Sequence, residues 1–170
     1  MRPVQVLPVV LAAALGCQPA GAKDTSAEAK QAIDAANANW ARLTAAGHAD
    51  SLADFYHPNG VMLPPNMAPV RGREAIRTFM TAMNAPPSPT LSVRADSVWA
   101  SGPLAVEVGR WHYATPAGAK LPPGVPATDS GKYMVRWMNE NGRWSMVQDI
   151  WNSDTPLPMP KPAASPSPKK

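Results

Sequence analysis

The chain has one cysteine, Cys17, so no disulfide can form within it and its stability must come from packing. Histidine is nearly as scarce: His48, His57 and His112 are scattered, and with one cysteine they offer no cluster with metal-ligand spacing. No glycine-rich phosphate loop or serine-nucleophile motif is present, and no internal repeat is evident. No metal and no cofactor is therefore expected. The formal charge is +4, yet between Asp24 and Thr155 eleven Lys and Arg face twelve Asp and Glu. The basic excess sits at the ends, in Arg2, Lys23, Lys161, Lys169 and Lys170, so the central region has no basic stripe for nucleic acid.

The apolar run within residues 1–17, MRPVQVLPVVLAAALGC, is too short to span a bilayer and fits an export signal behind the basic Arg2. Its end, LAAALGC, resembles a bacterial lipobox, which implies cleavage before Cys17 and lipidation of its thiol. The other reading is an ordinary signal peptide cut at Ala20-Gly21-Ala22, with Cys17 discarded. Gln18 is not the aspartate associated with inner-membrane retention. The expected address is the cell envelope, held by a lipid anchor alone and, in a Gram-negative host, at the outer membrane facing the periplasm. Residues 18–25 read as a tether, 26–155 as one domain, and 156–170, with six prolines in fifteen residues, as a disordered or polyproline tail.

Within the domain, Ile33, Ala36, Trp40 and Leu43 recur at helical spacing behind Ser26, a plausible N-cap, and Gly47 ends the segment. A short second helix follows Asp50, with Leu52, Phe55 and Tyr56 on one side, and Pro58 stops it. Val61 to Leu63 reads as a brief strand. Residues 72–84 predict a third helix burying Ala75, Ile76, Phe79, Met80 and Met83. Strands follow at roughly 90–100, 104–115, 129–140 and 143–153.

The last two strands are the most legible part of the chain. Asn141-Gly142 lies between alternating apolar and polar residues, and a two-residue hairpin turn needs positive φ at both positions, which Asn and Gly tolerate. Regular pairing about that turn sets Glu140 against Arg143, Trp137 against Met146 and Tyr133 against Ile150. Tyr133, Val135, Trp137, Trp144, Met146, Gln148 and Ile150 then share the inward face. Lys132, Met134, Arg136, Val147, Asp149 and Trp151 share the other, where an Arg136–Asp149 ion pair is expected.

Two segments carry a resemblance: WARLTAAGHADSLADFYHPNGVMLPPN followed by RGREAI, and GKYMVRWMNENGRWSMVQDIWNSD. Together they resemble the SnoaL-like and ketosteroid-isomerase-like branch of the nuclear transport factor 2-like superfamily, over about residues 28–154. The resemblance implies an α+β fold, a cone-shaped roll of three N-terminal helices on a curved antiparallel sheet, with a cavity between the layers. It also implies a homodimer through the outer sheet face. The isomerase pattern itself is not met: Trp40 stands where a helix tyrosine is wanted, Pro64 where the general-base aspartate is wanted, and Tyr133 near the second aspartate.

Family-like alignment places Val106, Val108, Arg110 and His112 on the concave side, so that Arg110 and His112 line the cavity and Glu107 points outward with Trp111 and Tyr113. Reversed parity would make Glu107 the missing carboxylate. The expected ligand-binding set is Trp40, Tyr56, Met62, Arg110, His112, Tyr133, Trp137, Met146 and Gln148, with His112, Tyr133 and Tyr56 as catalytic candidates. The leading expectation is a module that binds a small apolar or amphipathic molecule without turnover. The alternatives are a cofactor-independent lyase, isomerase or hydrolase acting on a small apolar or polyketide-like substrate, and a structural envelope protein.

Overall fold

The computed structural model describes residues 24–84, 86–121 and 126–156. The expected signal, Cys17, most of the tether and all but the first residue of the proline-rich tail lie outside the described residues. Helix α1, Ser26–Ala45, is followed by a 3-10 helix, Ala49–Phe55, then strands β1, Tyr56–Leu63, and β2, Val70–Arg71. Helix α2, Arg73–Met83, precedes four long strands: β3, Thr90–Ser101; β4, Leu104–Ala114; β5, Thr128–Glu140; and β6, Arg143–Ser153.

These six strands form one sheet in the order β2-β1-β6-β5-β4-β3. The sheet is mixed, because β1 runs parallel to β6 while every other neighbour is antiparallel. Three features of the expected architecture change, the first being that the sheet is mixed and not wholly antiparallel. The third helix follows β1 and β2, so the helices are not all N-terminal, and the second is a 3-10 turn ending at Phe55, so that Tyr56, expected on that helix, opens β1. Ser26 is not the N-cap: its hydroxyl accepts from the Ala100 amide and so ties the start of α1 to β3, while Asp24 accepts the Ser26 amide.

The helices bury their apolar stripes against the inner sheet face. Ile33, Leu52, Tyr56, Met62, Ile76 and Trp137 are all fully buried in one continuous core. In α2 the stripe is narrower than its sequence suggests, since Ala75 is exposed and Met83 is 52% exposed at the cavity's edge. The Asn141-Gly142 turn is as expected, with φ of 54° and 84°.

The pairing beyond that turn departs from regular alternation. Trp137 faces Met146, but Arg136 faces Gln148, which leaves Val147 as an extra, unpaired residue in β6. This β-bulge reverses the parity of the rest of the strand. Tyr133 therefore faces Trp151 rather than Ile150, Asp149 and Trp151 turn inward, and Gln148 and Ile150 turn outward. The expected Arg136–Asp149 pair does not form, and the Arg136 Nε donates to the Gln148 Oε1 at 2.9 Å on the outer face instead.

Candidate functional site

Between the helices and the wide end of the sheet lies a cavity of about 660 Å³. Its walls are apolar and aromatic: Trp40 from α1, Met80 from α2, Val93 from β3, Trp111 from β4, Trp151 from β6 and Leu121 from the loop after β4. The inward facing of Trp111 settles the parity of β4. Ala105, Glu107, Gly109, Trp111 and Tyr113 face the helices, and Arg110 and His112 point to the opposite side. Arg110 pairs there with Asp96 at 2.9 Å, and His112 borders a separate small hollow with Ser130 and Asp154.

Two glycines make this arrangement possible. Gly109 lies opposite Tyr133, and a Cβ at Gly109 would sit 2.5 Å from the Tyr133 hydroxyl and 2.6 Å from its Cζ. Gly131 lies opposite Trp111, and a Cβ there would come within 2.8 Å of the indole. Each aromatic ring thus lies down over a glycine on the next strand, which only a missing side chain permits.

Tyr133 laid over Gly109 reaches Glu107, which is fully buried. The Tyr133 hydroxyl and the Asn37 Nδ2 both donate to its Oε1, at 2.5 Å each, and the Trp137 Nε1 donates to Oε2 at 2.9 Å. Burial pushes the Glu107 carboxyl upward, and the three donors, which favour the charged form, only partly offset it. Tyr133 moves up as well, because it is buried and faces that charge. Tyr133 and Asn37 line the cavity, so Glu107 sits directly behind its wall.

A second carboxylate lines the cavity itself. Asp149 Oδ2 accepts the Tyr56 hydroxyl at 2.5 Å, and among the described residues its other oxygen has no donor. Burial raises Asp149 to about 6; the Tyr56 bond opposes that rise and the charge of Glu107 adds to it. Tyr56 itself is held well above its ordinary value, by burial and then by the Asp149 charge.

Of the residues expected to bind ligand, Trp40, Tyr133 and Met146 line this cavity. Tyr56, Met62 and Trp137 are fully buried in the core, with Tyr56 and Trp137 holding the two carboxylates from behind. Arg110, His112 and Gln148 lie on the other side of the sheet, which removes His112 from any chemistry in the cavity. Asp149 and Asn37 were not among the expected site residues. Asn37 is an isolated polar residue within the apolar stripe of α1, one turn after Ile33, and that placement is the signal that could have found it. The described residues contain no group of three or more His, Cys, Asp or Glu suited to a metal.

A family model described as a SnoaL-like domain matches residues 37–147. No curated protein matches the chain. Among solved structures, an NTF2-like protein with a cystatin-like fold from Novosphingobium aromaticivorans is 14% identical, with 74% of this chain and 81% of that one covered and a TM-score of 0.61. A ketosteroid isomerase-like protein from Erwinia carotovora atroseptica is 13% identical over 74% and 96%, with a TM-score of 0.58. Aln2 from a Streptomyces species is 11% identical over 78% and 95%, with a TM-score of 0.65. At these identities the likeness carries the α+β cystatin-like fold with its curved mixed sheet, and no more.

Proposed function

Because the chain belongs to the SnoaL-like domain family, we infer that it is a small-molecule-binding module whose site is the aromatic-walled cavity above Tyr133 and Asp149. The observation that carries this reading is how the donors are used. Enolate-forming catalysis needs a donor for the developing oxyanion as well as a base. Here Tyr133, Asn37 and Trp137 all donate to Glu107 and Tyr56 donates to Asp149, so no hydroxyl or amide of this network is free for an oxyanion; among the described residues the Trp111 Nε1 is the one buried side-chain donor without a partner. The walls are suited to an apolar body of a few fused rings.

A neutral solvatochromic dye such as Nile red is expected to bind with a blue-shifted emission. Val93→Trp, which fills the cavity from β3, is expected to weaken that binding at least tenfold while leaving the circular dichroism unchanged. Absence of a shift with the wild-type protein at 100 µM dye would remove the reading.

A second reading is favoured by the placement of Asp149, a carboxylate raised to about 6 and oriented by Tyr56 in an apolar cavity. Such a group can accept a proton near neutral pH. The substrate would then be a small carbonyl compound isomerised or cleaved without a cofactor. Deuterium exchange into 2-tetralone, followed by NMR at pH 7, tests it. Exchange above the buffer rate that disappears in Asp149→Asn supports proton transfer, and exchange at the buffer rate in both proteins removes it.

The same reading extends to assembly and location. Trp99, Leu104, Met134 and Ile150 are exposed on the outer sheet face, and through it two copies would pair. Lipidated Cys17 would tether the pair to the cell envelope.

A further inference from the structure

Glu107 and Asp149 have no ion-pair partner among the described residues. Ion pairs among the described residues join Lys30 with Asp34, His57 with Glu140, Arg77 with Asp54 and Glu74, Arg110 with Asp96, and Lys132 with Asp154. None involves Glu107 or Asp149. The basic residues of the last two strands cannot reach them either, because Lys132 and Arg136 project from the outer face and Arg143 donates to the Asp54 carbonyl. Among the described lining residues the one base is Lys120, on the loop after β4, and it shares the lining with Asp129.

An unpaired carboxylate taken out of water is costly, and one behind another is costlier still. Glu107 is compensated by three donors, whereas Asp149 keeps one oxygen without a partner at the cavity surface. The indoles of Trp40, Trp111 and Trp151 line the same cavity. The negative faces of such rings attract cations, most strongly where water is excluded. An anionic ligand would meet the carboxylates of Asp149 and Asp129, with Glu107 behind them, and only one base, while a cation would meet those carboxylates and three indoles.

We propose that the ligand of this cavity is an organic cation, a protonated amine on an apolar ring system, with its N–H donating to the free oxygen of Asp149 and its body lying among Trp40, Trp111 and Trp151. This rests on the cavity being the binding site and adds the class of molecule that fills it. Asp149 is then the specificity-determining residue, and Glu107 contributes field from behind the wall.

Three probes of one shape isolate the charge: 2-naphthylmethylamine, 2-naphthylmethanol and 2-naphthoate, titrated into the purified protein at pH 7.5 by tryptophan fluorescence and calorimetry. The amine is expected to bind at least tenfold more tightly than the alcohol, with the naphthoate weakest. In Asp149→Asn the amine's preference over the alcohol should be lost. Equal or tighter binding of the alcohol by the wild-type protein would overturn the proposal and leave the cavity reading standing. So would an amine preference that survives in Asp149→Asn. Failure of all three probes to bind at millimolar concentration would overturn both. The wild-type series alone gives a decision should the variant not fold.

Discussion

Glu107→Ala is expected to lower the unfolding free energy by about 3–5 kcal/mol, the largest effect of any single substitution considered for this chain. The side chain is fully buried and is the common acceptor of Asn37, Tyr133 and Trp137, which come from α1 and β5. Removing it strands three donors where no water replaces the lost oxygens, and each stranded donor costs roughly 1–3 kcal/mol. Against this stands one gain, relief from burying a carboxylate, so the sum falls below three full penalties. With total stabilities of about 5–15 kcal/mol typical of single domains, the variant should melt on the order of 10–20 °C lower. Glu107→Gln should cost about 1–3 kcal/mol, because the amide keeps one acceptor and turns an N–H₂ group toward a donor. Urea denaturation of both variants checks the order. A loss under 1 kcal/mol in Glu107→Ala would mean the three donors find other partners and that the network does not join helix to sheet.

The second large effect is a dependence of stability on pH that runs against the usual one for ion-paired carboxylates. Asp149 is raised from 3.8 to about 6. Between those values the folded chain holds a proton that the unfolded chain has released, so folding is favoured on the acid side and stability falls as pH rises through the window. Above about pH 6 both states are ionised and the full cost is present, on the order of 2–3 kcal/mol for a shift of this size. Glu107, raised by its burial, acts in the same direction. The groups facing Asp149 are Tyr56, which supports the anion by hydrogen bonding, and the carboxylate of Glu107, which opposes it. Asp129 works the other way. Burial would raise it, but Thr155, Ser153 and Ser130 donate to it and hold it below its ordinary value. Its support is present above the unfolded carboxylate range and is lost as pH falls below it. Stability should therefore peak near the acid end of the Asp149 window. In Asp149→Asn the fall between about pH 4 and 6 should shrink by most of that 2–3 kcal/mol, as read from urea midpoints at half-unit steps of pH. A difference curve flat from pH 4 to 7 would show that Asp149 ionises freely.

The parts of the fold read correctly from sequence are those where local chemistry decides. Ile33 and Trp40 announce α1, Ile76 and Met80 announce α2, and Asn141-Gly142 demands a tight hairpin, because periodicity and positive φ are properties of a few neighbouring residues. The parallel pairing of β1 with β6 was not legible. It joins Val61 to Gln148 and Leu63 to Ile150 across about half of the chain, and β1 is interrupted by Pro58 and Gly60 between its paired ends. Facing was harder still. In Val106 to Tyr113 both faces of β4 contain plausible inward residues, and the deciding clue was small: Gly109 and Gly131 supply the space over which Tyr133 and Trp111 lie. In β6 nothing in Met146-Val147-Gln148 marks an unpaired residue, so an unbroken alternation put Asp149 with Arg136 and Gln148 in the cavity.

That unpaired Val147 makes the lining of the cavity a matter of counting. The segment from Gln148 to Trp151 holds two complete linings in alternate positions, one acidic and aromatic in Asp149 and Trp151, the other an uncharged amide and aliphatic in Gln148 and Ile150. A slip of one residue that paired Val147 with Arg136 and so removed the bulge would exchange them, with no side chain altered anywhere in the chain. A cation-selecting pocket and a neutral one thus lie a single step of register apart in one sequence, and the choice between them is made by how the hairpin pairs and not by which residues it carries.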